Sequence, residues 1–218
     1  MISCVVDAKQ MLSGRVYDVL RDAILGGDFA PGDALKPQEL AGEHGVSLAV
    51  VREALVRLVG DGLADRRTNR GFAVPLQSDR RWQDLAEARC VVEVAALRLA
   101  IERGDLEWEA RIRASHHRLA GTPAFEGTRV TAEWSRAHRD FHRALLEGSG
   151  NAVLLETFDR MWLAGELARR WSSGRAPERD YLGEHRELEE ATLARDAETA
   201  AALLTRHLTH TVDALGAD

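Results

Sequence analysis

The sequence predicts a mainly α protein in two parts, a small helical domain carrying a short β ribbon and then a larger all-α antiparallel bundle. Three observations carry this expectation. Apolar residues recur at helical spacing through most of the 218 residues, as they do in helices with one buried face. Strand-like runs are confined to residues 63–74, around an arginine-rich tip. Pro75-Leu76-Gln77-Ser78-Asp79 then reads as a connection between two differently patterned halves. The expected organisation is an N-terminal domain over 1–75, a linker over 76–80 and a helical domain over 81–218.

Val16, Leu20, Ala23 and Ile24 mark a first helix that stops at Gly26-Gly27. Pro31-Gly32 gives a turn, and Pro37 opens a short helix through Leu40 and Ala41. Gly45 allows the positive backbone angle of a tight turn, and Ser47 can cap the next helix by accepting an orphan N–H. Val51, Leu55 and Leu58 share one face of that helix, which leaves Arg52 and Arg57 for a partner or for solvent. Gly60-Asp61-Gly62 ends it. Leu63–Arg66 and Gly71–Val74 then pair as strands around Arg67-Thr68-Asn69-Arg70. Two helices about a tight turn, followed by a basic ribbon, make a winged helix-turn-helix. The major groove admits one α-helix, whose guanidinium groups can meet phosphates or guanine edges. Arg66, Arg67 and Arg70 at the wing suit the minor groove or the adjacent backbone.

After residue 80 the pattern is helical almost throughout. Leu85, Ala88, Val92, Ala95, Ala96, Leu99 and Ala100 make a long amphipathic helix ending near Gly104. A second runs over about 106–119 to Gly121-Thr122-Pro123, and a third over about 130–147 with Phe141, Leu145 and Leu146 inside. Gly148-Ser149-Gly150 reads as a hinge, and Asn151 caps a helix through Leu154, Phe158, Trp162 and Leu167. Two more follow, over about 178–195 and 196–215. Short loops between them imply an antiparallel bundle.

The chemistry of this bundle sits in its histidines. His138 and His142 are four apart and share a helix face, while His185 and His207 lie on the last two helices. Bundles build metal sites from side chains on facing helices, and imidazole suits zinc, nickel, copper or iron. Scattered surface histidines are the plainer reading, and it is the one expected for His44, His116 and His117. His210, one turn past His207, fits either. Trp134, Trp162 and Trp171 are expected in the core.

Composition adds limits. Residues 1–75 carry nine Lys and Arg against ten Asp and Glu, and the remainder twenty against twenty-five. Positive charge is therefore local: Ser47 to Pro75 holds five Arg against three acidic residues. So modest an excess implies that two copies engage two half-sites together. Cys4 and Cys90 are too few and too far apart for a thiolate metal site or a disulfide framework. The N-terminus lacks a signal-peptide pattern and no window reaches membrane-span length, so a cytoplasmic protein is expected.

At this point the residues carry a resemblance. Leu20 to Gly27, Pro31-Gly32, Leu40-Ala41, Gly45-Val46-Ser47, Val51 to Leu55, Leu58, Gly62-Leu63 and Arg70-Gly71 resemble the DNA-binding domain of GntR-family transcription regulators. The resemblance departs at Leu48-Ala49-Val50, where the family commonly carries Arg-Thr-Pro or a near variant. The candidate DNA contacts are Ser47, Leu48, Ala49, Arg52, Arg57, Arg66, Arg67, Arg70 and Gly71. Leu85 to Ala100, Phe141-His142 with Gly148-Ser149-Gly150-Asn151, Glu184-His185-Arg186, and Arg195 to Ala200 through Arg206-His207-Leu208 resemble the FadR-type (FCD) effector domain. In that family an Asp or Asn four residues before the Phe-His histidine joins three histidines around a divalent metal. By position the implied ligands here are His138, His142, His185 and His207, with His138 in the place of the carboxylate or amide. Four neutral imidazoles would leave the ion's charge uncompensated by its ligands and favour an anionic effector.

The resemblance implies a ligand-responsive DNA-binding regulator, a repressor, acting as a homodimer on a palindromic operator. A divalent ion, zinc or nickel first, and a small carboxylate would occupy the bundle, with Arg89 as a second, bidentate carboxylate clamp. The plainer role of Arg89 is a helix-surface ion pair with Glu93. The protein is not expected to be an enzyme. Two other readings stay open on the residues: a small histidine-site metalloenzyme fused to a winged helix, with Glu189 the nearest general base, and a metal-free regulator of bulky acyl ligands.

Overall fold

The computed structural model describes residues 2–67, 71–127, 129–172 and 180–213. Contacts divide the chain into two compact units, 1–78 and 79–218.

In the first unit, α1 (Ile2–Gly26), α2 (Pro37–His44) and α3 (Leu48–Gly60) surround a small core, with strands β1 (Ala34–Leu35), β2 (Asp65–Arg67) and β3 (Gly71–Ala73) at its side. Val16, Leu20 and Ile24 of α1 bury against the face of α3 that carries Val51, Leu55 and Leu58. Gly45 ends α2 at φ 61°, in the left-handed region that its missing Cβ makes accessible. The sheet runs in the order β1-β3-β2, all antiparallel, with Arg66 opposite Phe72 and Arg67 opposite Gly71.

Two details differ from the sequence expectation. The ribbon has a third strand, β1, because Pro31-Gly32 turns the chain so that Leu35 pairs opposite Phe72. The first wing strand begins at Asp65, since Leu63 and Ala64 are spent otherwise: both are buried, and their N–H groups cap α3 by donating to Leu58 O at 2.9 and 3.2 Å.

The second unit contains α4 (Asp79–Arg103), α5 (Leu106–Gly121), α6 (Ala132–Glu147), α7 (Ala152–Ser172), α8 (Tyr181–Leu193) and α9 (Ala197–Asp213). Asp79 and Arg80, assigned to the linker by pattern, already form the first turn of α4. Residues 178–179 and 214–215, expected in the last two helices, lie outside the described residues. Asp105, Thr131 and Asp180 cap α5, α6 and α8 through their side-chain oxygens, and Asn151 Oδ1 accepts from the N–H groups of Val153 and Leu154 at 3.1 and 3.3 Å.

A short hairpin, β4 (Phe125–Glu126) with β5 (Arg129–Val130), precedes α6 at a place where no strand is expected from the pattern. The core centres on Leu97, Ala100, Trp108, Ile112, Phe141, Leu145, Phe158 and Leu204. Trp108 is fully packed, and its indole N–H donates to Ala144 O at 2.8 Å. Gly148, read as part of a hinge, is a close-packing position instead. A Cβ there would lie 2.8 Å from the Trp108 ring and 2.9 Å from Ala100 O. No helix among the described residues is long and apolar enough to cross a membrane.

Candidate functional site

Lys36, Arg52, Arg66 and Arg67 of the first unit border one groove. Ser47 Oγ accepts from Val50 N–H at 3.4 Å and so starts α3. From there Arg52 and Val56 project outward. They face Arg66, Arg67 and Gly71 of the ribbon and Lys36 at the start of α2 across a groove of about 840 Å³. Arg67 is steadied there by donating to Gly32 O at 3.4 Å. Leu48 is half-buried and Ala49 exposed on the first turn of α3. Arg57 lies elsewhere: five residues on from Arg52 is about 140° around a helix. Its guanidinium sits 4.1 Å over the Tyr17 ring of α1, whose hydroxyl donates to Asp61 Oδ2 at 2.5 Å. The structure thus gathers Arg52, Arg66, Arg67 and Gly71 and separates Arg57 from them. Arg70 lies outside the described residues.

In the second unit the four candidate histidines meet. His138 and His142 come from α6, His185 from α8 and His207 from α9; all are buried, and one ring nitrogen from each lies within 4.8 Å of the others. For His185 and His207 the second nitrogen explains which atom faces inward. His185 Nδ1–H donates to Tyr181 O at 2.6 Å, a carbonyl that can only accept, so that in a neutral ring the lone pair is on Nε2. His207 Nδ1 meets Glu184 Oε2 at 2.7 Å, which in a neutral ring likewise puts the proton on Nδ1. This is how ligand imidazoles are oriented at metal sites. His142 Nε2 and His185 Nε2 stand 3.4 Å apart, close to the spacing of about 3.3 Å that two bonds of 2.0–2.1 Å make around a tetrahedral ion.

His138 tests the fit most sharply. It stacks on Trp134 with centroids 4.5 Å apart, and neither ring nitrogen has a hydrogen-bond partner although both are buried. Burial first, then the neighbouring His142 and His185 and the Arg169 charge, hold its pKa well below the ordinary imidazole value. The ring is therefore neutral, with a buried lone pair that lacks a proton donor. A cation among the four rings would satisfy it, and the donor set fits a divalent ion.

Beside the cluster a cavity of about 10 Å³, room for about one water, is bounded by Arg89, His138, Trp162, Gly165, Glu166 and Arg169. Arg89 is tied to Glu93, with Nε to Oε1 at 2.6 Å and Nη2 to Oε2 at 3.3 Å. This pair is far from the surface bridge that the spacing suggested: Glu93 is 1 % exposed. Burial pushes the Glu93 carboxyl up, with Arg89 drawing it back.

A second buried network was not legible in the sequence. Glu166 Oε1 accepts from Arg169 Nη2 at 2.6 Å, Arg170 Nε at 2.8 Å and Ser135 Oγ at 2.7 Å. Burial would raise the Glu166 pKa, but these two guanidinium groups and the hydroxyl outweigh it and bring it to about 2. Arg169 also lies 4.7 Å over the Trp134 ring. The available signal was the Glu166 spacing to Arg169 and Arg170, which resembles a solvated helix pair. Glu184 likewise stands out in the sequence only as the residue before His185.

The remaining histidines sort differently. His210 is exposed and approaches Glu184 Oε1 at 3.3 Å. His116, expected at the surface, is half-buried against Phe141 and paired with Glu189. Glu189, the general-base candidate, is thereby committed to His116.

The comparisons with known proteins agree with this architecture. Residues 12–74 match the family of bacterial regulatory proteins, gntR family, and residues 84–210 match the FCD domain. The HTH-type transcriptional regulator BphR of Paraburkholderia xenovorans is 35% identical over 88% of this chain and 80% of its own. The HTH-type transcriptional repressor GlaR of Escherichia coli is 31% identical over 88% of this chain and 90% of its own. A solved structure described as a GntR transcriptional regulator from Rhodococcus sp. RHA1 superposes with a TM-score of 0.74 at 28% identity, covering 94% of this chain and 98% of that one. These are transcription regulators and not enzymes. The chain belongs to the gntR family of bacterial regulatory proteins, with an FCD domain as its second unit.

Proposed function

We propose that this DNA-binding transcription regulator is a repressor whose helical unit holds a divalent ion, zinc or nickel first, and answers to a small carboxylate. The observation that carries the proposal is the buried set His138, His142, His185 and His207, with both His138 nitrogens lacking a partner. An apolar acyl pocket gives no reason to bury four imidazoles. The bound ion would supply a Lewis-acidic anchor for an anionic oxygen. The protein's own residues do the rest. Glu184 and the Tyr181 carbonyl fix the ring orientations, Trp134 and Trp162 wall the site, and Arg89 offers a second anchor for the carboxylate.

On the DNA side, Arg52 with the ribbon arginines would contact operator DNA, and two copies of the chain would engage two half-sites. The relative GlaR is named a repressor, which favours repression over activation here. Release from DNA requires that the carboxylate bind one state of the dimer more tightly than the other.

Elemental analysis of the tag-free protein, before and after chelation, tests the metal. About one zinc or nickel per chain is expected, lost in the double variant His142→Ala with His185→Ala. In metal-loaded protein D-gluconate or L-malate should raise the melting temperature, while their neutral amides should not. Stoichiometric metal retained by the double variant would refute the ligand assignment.

A further inference from the structure

The guanidinium of Arg89 is held in one pose from two sides. A guanidinium carries five N–H groups along three edges. Glu93, one turn further along α4 and shielded from water, takes the side-on edge through Nε and Nη2. Nη1 meets no acceptor among the described residues; it points against α7 at Gly165. A Cβ at position 165 would stand 2.6 Å from Nη1 and 3.3 Å from Cζ. Three residues earlier on α7, the Trp162 ring lies 5.3 Å from the Arg89 Cζ. Glycine within a helix is disfavoured on backbone grounds, and here its missing side chain opens a slot that admits the flat guanidinium. The same Gly165, Trp162 and Arg89 border the cavity that reaches His138.

We propose that Glu93 and Gly165 are positioning residues of the effector site: together they present the end-on edge of Arg89, Nη1 with the second Nη2 hydrogen, to the cavity beside the four histidines. The carboxylate is therefore met end-on, because the side-on edge is already engaged by Glu93. Any side chain larger than hydrogen at 165 displaces the clamp without touching a histidine. This rests on the reading of the cavity as a carboxylate site, and at about 10 Å³ the cavity has to widen around its lining side chains to admit the acid.

The test uses metal-loaded, full-length protein and calorimetric titration with D-gluconate and L-malate. Gly165→Ala should weaken carboxylate affinity roughly tenfold or more, with metal stoichiometry unchanged. In an Arg89→Lys background, which lacks Nη1, the same substitution should change affinity by less than about twofold. Glu93→Gln, which frees the guanidinium to rotate, should also weaken binding and serves if Gly165→Ala fails to fold. Undiminished affinity in Gly165→Ala, or an equal loss in both backgrounds, would overturn the inference while leaving the carboxylate site standing. Wild-type protein that binds neither compound would overturn the carboxylate reading itself and the clamp with it.

Discussion

Replacing Glu166 by Gln should erase a stability change that the wild-type helical unit undergoes in acid. The carboxyl has an ordinary pKa of 4.5 and is brought to about 2 in the folded protein by Arg169, Arg170 and Ser135 acting against burial. Its folded pKa is thus below its unfolded one. Between the two values the unfolded chain binds a proton that the native chain does not, so stability rises with pH through this window. The contribution is fully present above the unfolded pKa and is lost as pH falls through the folded one. A shift from 4.5 to about 2 corresponds to on the order of 3 kcal/mol, at about 1.4 kcal/mol per pH unit.

Glutamine cannot titrate, so this component vanishes in the variant. The variant is also less stable at neutral pH, because two guanidinium groups lose their counter-charge; breaking such a buried pair costs about 3–5 kcal/mol. The informative quantity is therefore the slope and not the level. Urea unfolding of chelated protein, followed by tryptophan emission between about pH 3 and 6, supplies it. All five tryptophans (Trp82, Trp108, Trp134, Trp162 and Trp171) fall within residues 79–218, so the emission reports on the helical unit. The wild-type advantage should shrink steadily below pH 4.5, the ordinary carboxyl value, and be level above it. Parallel curves for the two proteins would refute the argument that the arginines depress this carboxyl.

Two other substitutions follow from the geometry. Arg52→Ala should weaken operator binding by about 1–3 kcal/mol in a fluorescence-anisotropy titration, whereas Arg57→Ala should chiefly destabilise the first unit, since Arg57 packs on Tyr17; equal losses of affinity would mean that both arginines face the DNA. Gly148→Ala should destabilise the helical unit by about 1–3 kcal/mol through overpacking with bound metal unchanged, because the added methyl meets Trp108 and Ala100 O; a neutral effect in urea unfolding would show that the loop tolerates a small shift.

Helices and their caps were legible because periodicity and capping chemistry are local. Ser47 and Asn151 start their helices as the sequence implied, and the histidine set came from spacing together with a family pattern. All the misses but one share a cause, which is that they depend on partners distant in sequence. β1 is two residues long and exists only through its pairing to β3, so no local run announces it. Gly148 looks like a flexible loop residue until Trp108, forty residues earlier, is packed against it. Arg89 and Glu93 have the spacing of a surface pair, and only the neighbouring helix decides that Glu93 is enclosed. Arg57 shared the arginine signal of Arg52 although the helix turns the two apart, a distinction that periodicity did contain.

The substitution of an imidazole at position 138 shifts where negative charge stands in the site. A ligating carboxylate subtracts a charge at the ion itself. Here the nearest carboxylate bonded to the ring set is Glu184, placed one row out behind His207 Nδ1. That position orients the His207 ring without occupying a coordination position. Meanwhile the arginines at the cavity are largely matched: Arg89 by Glu93, and Arg169 by Glu166, which Arg170 shares. The attraction of the proposed site for an anion therefore depends mainly on the bound ion, with the end-on edge of Arg89 setting orientation. On this reasoning the thermal response to D-gluconate or L-malate should disappear with chelation, even though Arg89 is intact. A response that survives chelation would assign the anion to the arginines alone and leave the four imidazoles without a part in effector binding.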